Sequence, residues 1–135
     1  MFIFKKGSGK HINNFGLGQH GRYRTNVWSY PGINSFGGEQ DLLALHPTVK
    51  PVSMIADALR DCSHRNGLVL DPFAGSGTIL IAAERTGRHA RAIEYEPKFV
   101  DVAIQRWQRV TGELAVHEAS GASYDELKSI KTEEK

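Results

Sequence analysis

With 135 residues, 40% of them hydrophobic and 24% charged, the chain has the length of one domain and the composition of a globular one, which excludes wholesale disorder and fibrous repeats. Its longest apolar runs, residues 68–70 and 79–83, are far too short to cross a bilayer, and its start does not read as a secretory signal, so a cytoplasmic protein without a membrane partner is expected. The net charge of +2 conceals a polarity: residues 1–38 hold five basic side chains and no acid, residues 39–111 nine of each sign, and residues 112–135 three lysines against six acids, a layout that points to an anionic partner at the amino-terminal end.

In chain order, a short strand is predicted at residues 2–5, then loop to about residue 45, rich in Gly, Asn, Ser and aromatics and without a helical period. Val52, Ile55, Leu59 and Cys62 fall at spacings of three and four behind Pro51, which predicts a helix over residues 51–62. Gly67 breaks the chain before Leu68-Val69-Leu70-Asp71, an apolar run of the kind shown by a strand buried on both faces, with Asp71 at its carboxyl end. A glycine turn, residues 72–77, leads into a helix from Thr78 that Gly87 closes. A second strand is predicted over residues 89–94. Beyond it Phe99, Val100, Ala103, Ile104, Trp107 and Val110 mark the apolar stripe of a helix ended by Gly112. Ser123 and Glu126 form a capping box for a short terminal helix using Tyr124, Leu127 and Ile130. The order strand, glycine turn, helix, strand, helix is that of an α/β fold with a partial doubly wound sheet.

A glycine turn between a buried strand and a helix aims backbone N–H groups at the crevice beyond the strand's carboxyl end, where open α/β sheets bind ligands. An isolated Gly-x-Gly is as often a plain turn. Glu94 shifts that balance, because it follows Asp71 by 23 positions, near the offset of about 20 at which an acid grips ribose hydroxyls. A dinucleotide pyrophosphate would be repelled by Asp71, and Leu80 stands where the third glycine of its fingerprint belongs. No Gly-Lys-Ser/Thr provides the lysine that a nucleoside triphosphate needs. S-adenosylmethionine fits better: Asp71 attracts its sulfonium and ammonium groups, and the turn and a nearby lysine hold its carboxylate. Cys62 stands alone and reads as packing, and the six scattered histidines lack the spacing of a zinc site, so no metal is expected.

His46-Pro47-Thr48-Val49-Lys50-Pro51, Asp71-Pro72-Phe73-Ala74-Gly75-Ser76-Gly77-Thr78 and Ala92-Ile93-Glu94 closely resemble the last part of amino-methylating DNA methyltransferases of the β arrangement, which act on adenine N6 or cytosine N4. The match covers about residues 22–112, and Asn26-Val27-Trp28 belongs to it. The resemblance implies a Rossmann-like, S-adenosylmethionine-dependent methyltransferase fold. It assigns Thr48, Lys50, Asp71, Phe73, Gly75, Ser76, Gly77 and Thr78 to the methionine end of the cofactor and Glu94 to its ribose. The family's catalytic tetrapeptide, Asp/Asn/Ser-Pro-Pro followed by an aromatic residue, should precede these motifs, and no Pro-Pro occurs in the sequence. That tetrapeptide orients the target amine and stacks on the flipped base. No catalytic residue is therefore assigned, the chain alone is expected to be inactive, and it looks like the carboxyl-terminal part of a methyltransferase whose sheet is incomplete.

Three regions follow. Residues 1–45 form a basic and aromatic loop region with a short strand, residues 46–112 the cofactor-binding α/β unit, and residues 113–135 an acidic tail with a short helix. Lys5, Lys6, Arg22, Arg24 and Trp28 are the candidate DNA contacts, weighed against a loop that merely packs its aromatics on the core. Trp107 reads as core; Asp57, Asp61, Arg106 and Arg109 read as solvated faces. The expected partners are DNA, a chain supplying the missing catalytic half, and a second copy of the chain pairing along the open sheet edge. The alternative is a truncated, non-catalytic module that binds DNA or protein.

Overall fold

The computed structural model describes residues 6–25, 27–31 and 49–133. The strand expected at residues 2–5, with Lys5, Asn26 and the segment His46-Pro47-Thr48, lies outside them. Pro51 precedes α1 (Val52–Cys62), and a four-residue strand β1 (Leu68–Asp71) leads through the glycine turn to α2 (Thr78–Thr86). Next come β2 (His89–Ala92), α3 (Pro97–Thr111) and α4 (Tyr124–Glu133). No helix of the described residues is long and apolar enough to cross a membrane.

Local chemistry sets these boundaries. Gly87 ends α2 in the left-handed region at φ +66°, donating to Glu84 O while Arg88 N–H reaches back to Ala83 O, the paired bonds of a Schellman stop. Gly112 ends α3 in the same region. The capping box at α4 is present in both directions: Ser123 N–H donates to Glu126 Oε2 at 2.7 Å, and Glu126 N–H donates to Ser123 Oγ at 3.3 Å. The bonds that Ser123 donates hold the Glu126 carboxyl below its usual range.

β1 and β2 pair in parallel, Leu68 opposite His89 through Asp71 opposite Ala92. Ladder-like bonding runs past the strand ends, since Ile93 N–H donates to Asp71 O at 2.9 Å and Ala74 N–H to Ile93 O at 3.0 Å, and this carries Glu94 to the turn. Ala56, Leu59, Ile79, Ala82 and Ala83 form the core between α1 and α2, with Val69 and Ala90 of the sheet packed against it.

The structure corrects the expected strand burial. Leu68 and Leu70 are 68% and 64% exposed, because successive residues of a strand face opposite ways and, among the described residues, the helices cover only the side of Val69. The stripe of α3 is also shifted. Val102, Ala103 and Arg106 are its buried residues, Val100 and Val110 are exposed, and Trp107 is half-buried, because α3 packs on the polar glycine turn as well as on α2. Cys62 is exposed rather than packed inside, and Ile130 of α4 is 53% exposed.

Candidate cofactor cleft and amino-terminal loop

At the carboxyl end of β1, Asp71 Oδ1 accepts the Phe73 N–H at 3.0 Å and turns the chain sharply. Gly75 and Gly77 then take φ of +54° and +74°, a region that side chains avoid. Gly77 N–H closes the turn on Ala74 O at 2.9 Å. Glu94 spans the far side: its Oε2 accepts the Gly75 N–H at 2.7 Å and its Oε1 the Glu96 N–H at 2.9 Å.

A cleft of about 210 Å³ opens over this turn, lined by Lys50, Asp71, Phe73, Gly75, Ser76 and Thr78, with Ile55, Ala74 and Ile79 as its apolar floor. Thr78 Oγ1 lies 3.5 Å from Lys50 O, tying the segment before α1 to the start of α2. Phe73 is 87% exposed at the rim. Six of the residues singled out in the sequence thus meet around one space, and Glu94 joins them through Gly75. Gly77 does not line the cleft but packs against α3, where a Cβ built on it would sit 2.7 Å from Ala103 Cβ. Thr48 lies outside the described residues.

The sequence reading missed Arg106. Far from solvated, it is 1% exposed beneath the turn, and its Nη1 lies 3.1 Å from Ser76 O, 3.2 Å from Ser76 Oγ and 3.0 Å from Thr78 Oγ1. A signal is present in the sequence, since Phe99, Ala103 and Arg106 share one helical face at offsets of four and seven.

The amino-terminal loop turns part of its charge inward. Arg24 sits 4.8 Å from the Phe15 ring centroid and 4.3 Å from that of Trp28, within range of cation–π attraction. It also pairs with Asp57 at 3.0 Å and with Asp61 at 3.7 Å. The Tyr30 hydroxyl donates to Asp57 Oδ2 at 2.6 Å, and Asn14 Nδ2 donates to the carbonyls of Arg60 and Ser63 at the end of α1. Asp57 and Asp61 are therefore the anchor of the loop, not a solvated face. The Tyr30 bond, with help from Arg60 and Arg24, holds the Asp57 carboxyl below its ordinary range, while burial and then Asp57 itself push the Tyr30 phenol up. Lys6, Arg22 and Tyr23 remain exposed, and Lys5 lies outside the described residues.

Comparison with known proteins supplies the context. A family described as DNA methylase matches residues 4–105. Type II methyltransferase M.ScaI of Streptomyces caespitosus is 34% identical over 88 residues, which is 64% of this chain and 29% of that protein. Type II methyltransferase M.HinfI of Haemophilus influenzae is 33% identical over 112 residues, 81% of this chain and 29% of that protein. The chain thus spans less than a third of the length of these relatives. The PvuII DNA methyltransferase, cytosine-N4-specific, superposes with a TM-score of 0.56 at 22% identity, over 81% of this chain and 37% of that one. That likeness is one of fold.

Proposed function

This chain belongs to the DNA methylase family, and from that premise we propose that its cleft binds S-adenosylmethionine and that the whole protein methylates an exocyclic amine of adenine (N6) or cytosine (N4) in DNA. The observation that carries the reading is the convergence of Lys50, Asp71, Phe73, Gly75, Ser76 and Thr78 on one cleft, with Glu94 bonded to the Gly75 amide. The donor set fits the cofactor. Lys50 and the Asp71 carboxylate line the same space, opposite charges for a zwitterionic amino-acid end, and the left-handed glycines let a ligand approach the main chain. Glu94 stands beside the same turn, and a carboxylate, an acceptor at both of its oxygens, suits ribose hydroxyls. Residues 46–112 are the proposed cofactor unit, with Thr48 assigned to it by motif.

When bound, the cofactor supplies a sulfonium methyl group that the amine nitrogen displaces directly. The residues of this chain hold and orient it: Asp71 by attraction of the cationic groups, Lys50 and the amino-terminal end of α2 by attraction of the carboxylate. With no Pro-Pro tetrapeptide in the sequence, the amine must be oriented by a polypeptide segment beyond these 135 residues, and the chain alone is expected to transfer no methyl group.

S-adenosylhomocysteine is expected to perturb the amide signals of Gly75, Ser76 and Glu94 in an NMR titration, with weak affinity, while ATP and NAD leave them in place. Tight ATP or NAD binding without competition by S-adenosylhomocysteine would end the assignment.

DNA is the proposed polymer partner, with Lys5, Lys6 and Arg22 as phosphate contacts and Arg24 and Trp28 holding the loop that presents them. Binding should be weak and sequence-independent, its log affinity falling with log salt, and Arg22→Ala should flatten that slope by about one unit. Salt-independent binding, or none at low salt, would rule the loop out.

The second reading is a non-catalytic module that binds protein. It is favoured by the sheet face that the described residues leave uncovered, where Leu68 and Leu70 stand exposed, a surface suited to a second copy or to the chain carrying the catalytic segment. A labelled methyl-transfer assay on DNA, with and without that segment supplied, separates the two.

A further inference from the structure

Arg106 is placed where an arginine needs a reason. It stays charged at every pH a folded protein meets, and it is 1% exposed, a depth at which an arginine is found only when paired or hydrogen-bonded. Its Nη1 donates to the Ser76 carbonyl, the Ser76 hydroxyl and the Thr78 hydroxyl, at 3.1, 3.2 and 3.0 Å. These three oxygens belong to the last residues of the glycine turn and the first of α2, so one guanidinium fixes the junction from below while Ser76 and Thr78 line the cleft from above. Hydrogen bonding alone would be served by a neutral amide. What the guanidinium adds is positive charge at the amino-terminal end of α2, whose dipole has the same sign.

We propose that Arg106 is a positioning residue that also acts electrostatically. Working through Ser76 and Thr78, it shapes the turn and gives the cleft a preference for the carboxylate-bearing end of its ligand. The inference rests on the cofactor reading above and deepens it. Lys50 is mounted on the segment before α1, on the other wall; Arg106 is the buried counterpart that solvent screens least.

The test compares two probes on the full chain by NMR titration. S-adenosylhomocysteine carries the amino-acid carboxylate; 5′-methylthioadenosine keeps the nucleoside and thioether and lacks that end. The wild-type chain should prefer the former. In Arg106→Gln, affinity for S-adenosylhomocysteine should fall by roughly tenfold or more, the scale of a lost charged interaction, while affinity for 5′-methylthioadenosine stays within about threefold. Arg106→Lys should weaken both probes but keep the preference, since it retains the charge and loses the fork. Equal weakening of both probes in Arg106→Gln would make the residue merely structural and overturn the proposal, as would an unchanged preference. If circular dichroism shows that Arg106→Gln does not fold, the salt dependence of the wild-type preference decides: a preference that survives about 1 M salt, which screens the exposed Lys50 but not a buried charge, supports the proposal, and one that vanishes overturns it. Failure of the cofactor reading is visible separately, as a wild-type chain that binds neither probe, and the proposal then falls with it.

Discussion

Gly77→Ala is expected to destabilise the chain by roughly 2 to 5 kcal/mol, the sum of a left-handed backbone penalty and of overpacking at a rigid contact. Gly77 holds φ +74°, and its added Cβ would meet Ala103 Cβ at 2.7 Å and Ala103 Cα at 3.0 Å. Neither neighbour is the free end of a flexible side chain, so α3 must move away from the turn. That movement would draw Arg106 off Ser76 and Thr78, coupling a packing defect to the cleft. The companion Ala103→Gly removes the closer contact but leaves the Cα and the backbone strain. In a double-mutant cycle followed by urea unfolding, Gly77→Ala and Ala103→Gly should therefore couple favourably by about 1 kcal/mol, with incomplete rescue. Strict additivity would mean that the turn and α3 adjust independently, and the close approach would not be what demands glycine at this position.

The parts of the fold legible in the sequence are those set by neighbours in the chain. Gly87 and Gly112 stop α2 and α3 where the apolar pattern ends, Ser123 and Glu126 cap α4 reciprocally, and the turn from Asp71 to Thr78 carries its own glycines. Each is a bond or a dihedral within a few residues. The parts not legible depend on what packs opposite. Leu68-Val69-Leu70 reads as buried on both sides, yet among the described residues only Val69 of the three packs on the core; hydrophobicity records a demand for cover and not what supplies it. Arg24 and Asp57 are 33 positions apart and each looks solvated on its own. Arg106 is joined to Ser76 across 30 positions, and a charged residue on an apolar stripe reads as outward-facing by its type, against its spacing. The cleft lies between these two classes. Its turn is visible locally, whereas the meeting of Lys50 with it requires α1 to fold back over α2.

The turn is held from three directions, and this bears on how it would work. Glu94 holds the Gly75 amide from the β2 side, Arg106 holds Ser76 and Thr78 from α3, and Ala103 presses against Gly77. A site fixed in this way spends little of its ligand's binding energy on ordering the backbone.

Loss of the Asp57 carboxyl is expected to release the amino-terminal loop from α1. Asp57 accepts the Tyr30 hydroxyl at 2.6 Å and pairs with Arg24 at 3.0 Å and Arg60 at 3.1 Å; Asp57→Ala removes all three and leaves Asp61, at 3.7 Å, as the carboxylate that Arg24 keeps among the described residues. The cost should be about 1 to 3 kcal/mol, the range for stranding partly buried polar partners. The ring of Trp28, stacked on Arg24, should move to water, shifting its emission to the red in a Trp107→Phe background that silences the other indole. The same clamp gives a pH signature. The folded-state pKa of Asp57 is depressed, so its contribution is complete above the ordinary aspartate value near 4 and is lost as pH falls through the lower folded value. Tyr30 has the opposite sense: its pKa is raised, so its contribution holds below the ordinary phenol value near 10 and is lost as pH climbs past the higher folded one. An acid transition in Trp28 emission should therefore appear below about pH 4 and vanish in Asp57→Asn, which keeps an acceptor for Tyr30 but has nothing to titrate. Trp28 emission that ignores Asp57→Ala, or an acid transition that survives Asp57→Asn, would show that the loop is held by its aromatic packing and not by this carboxylate.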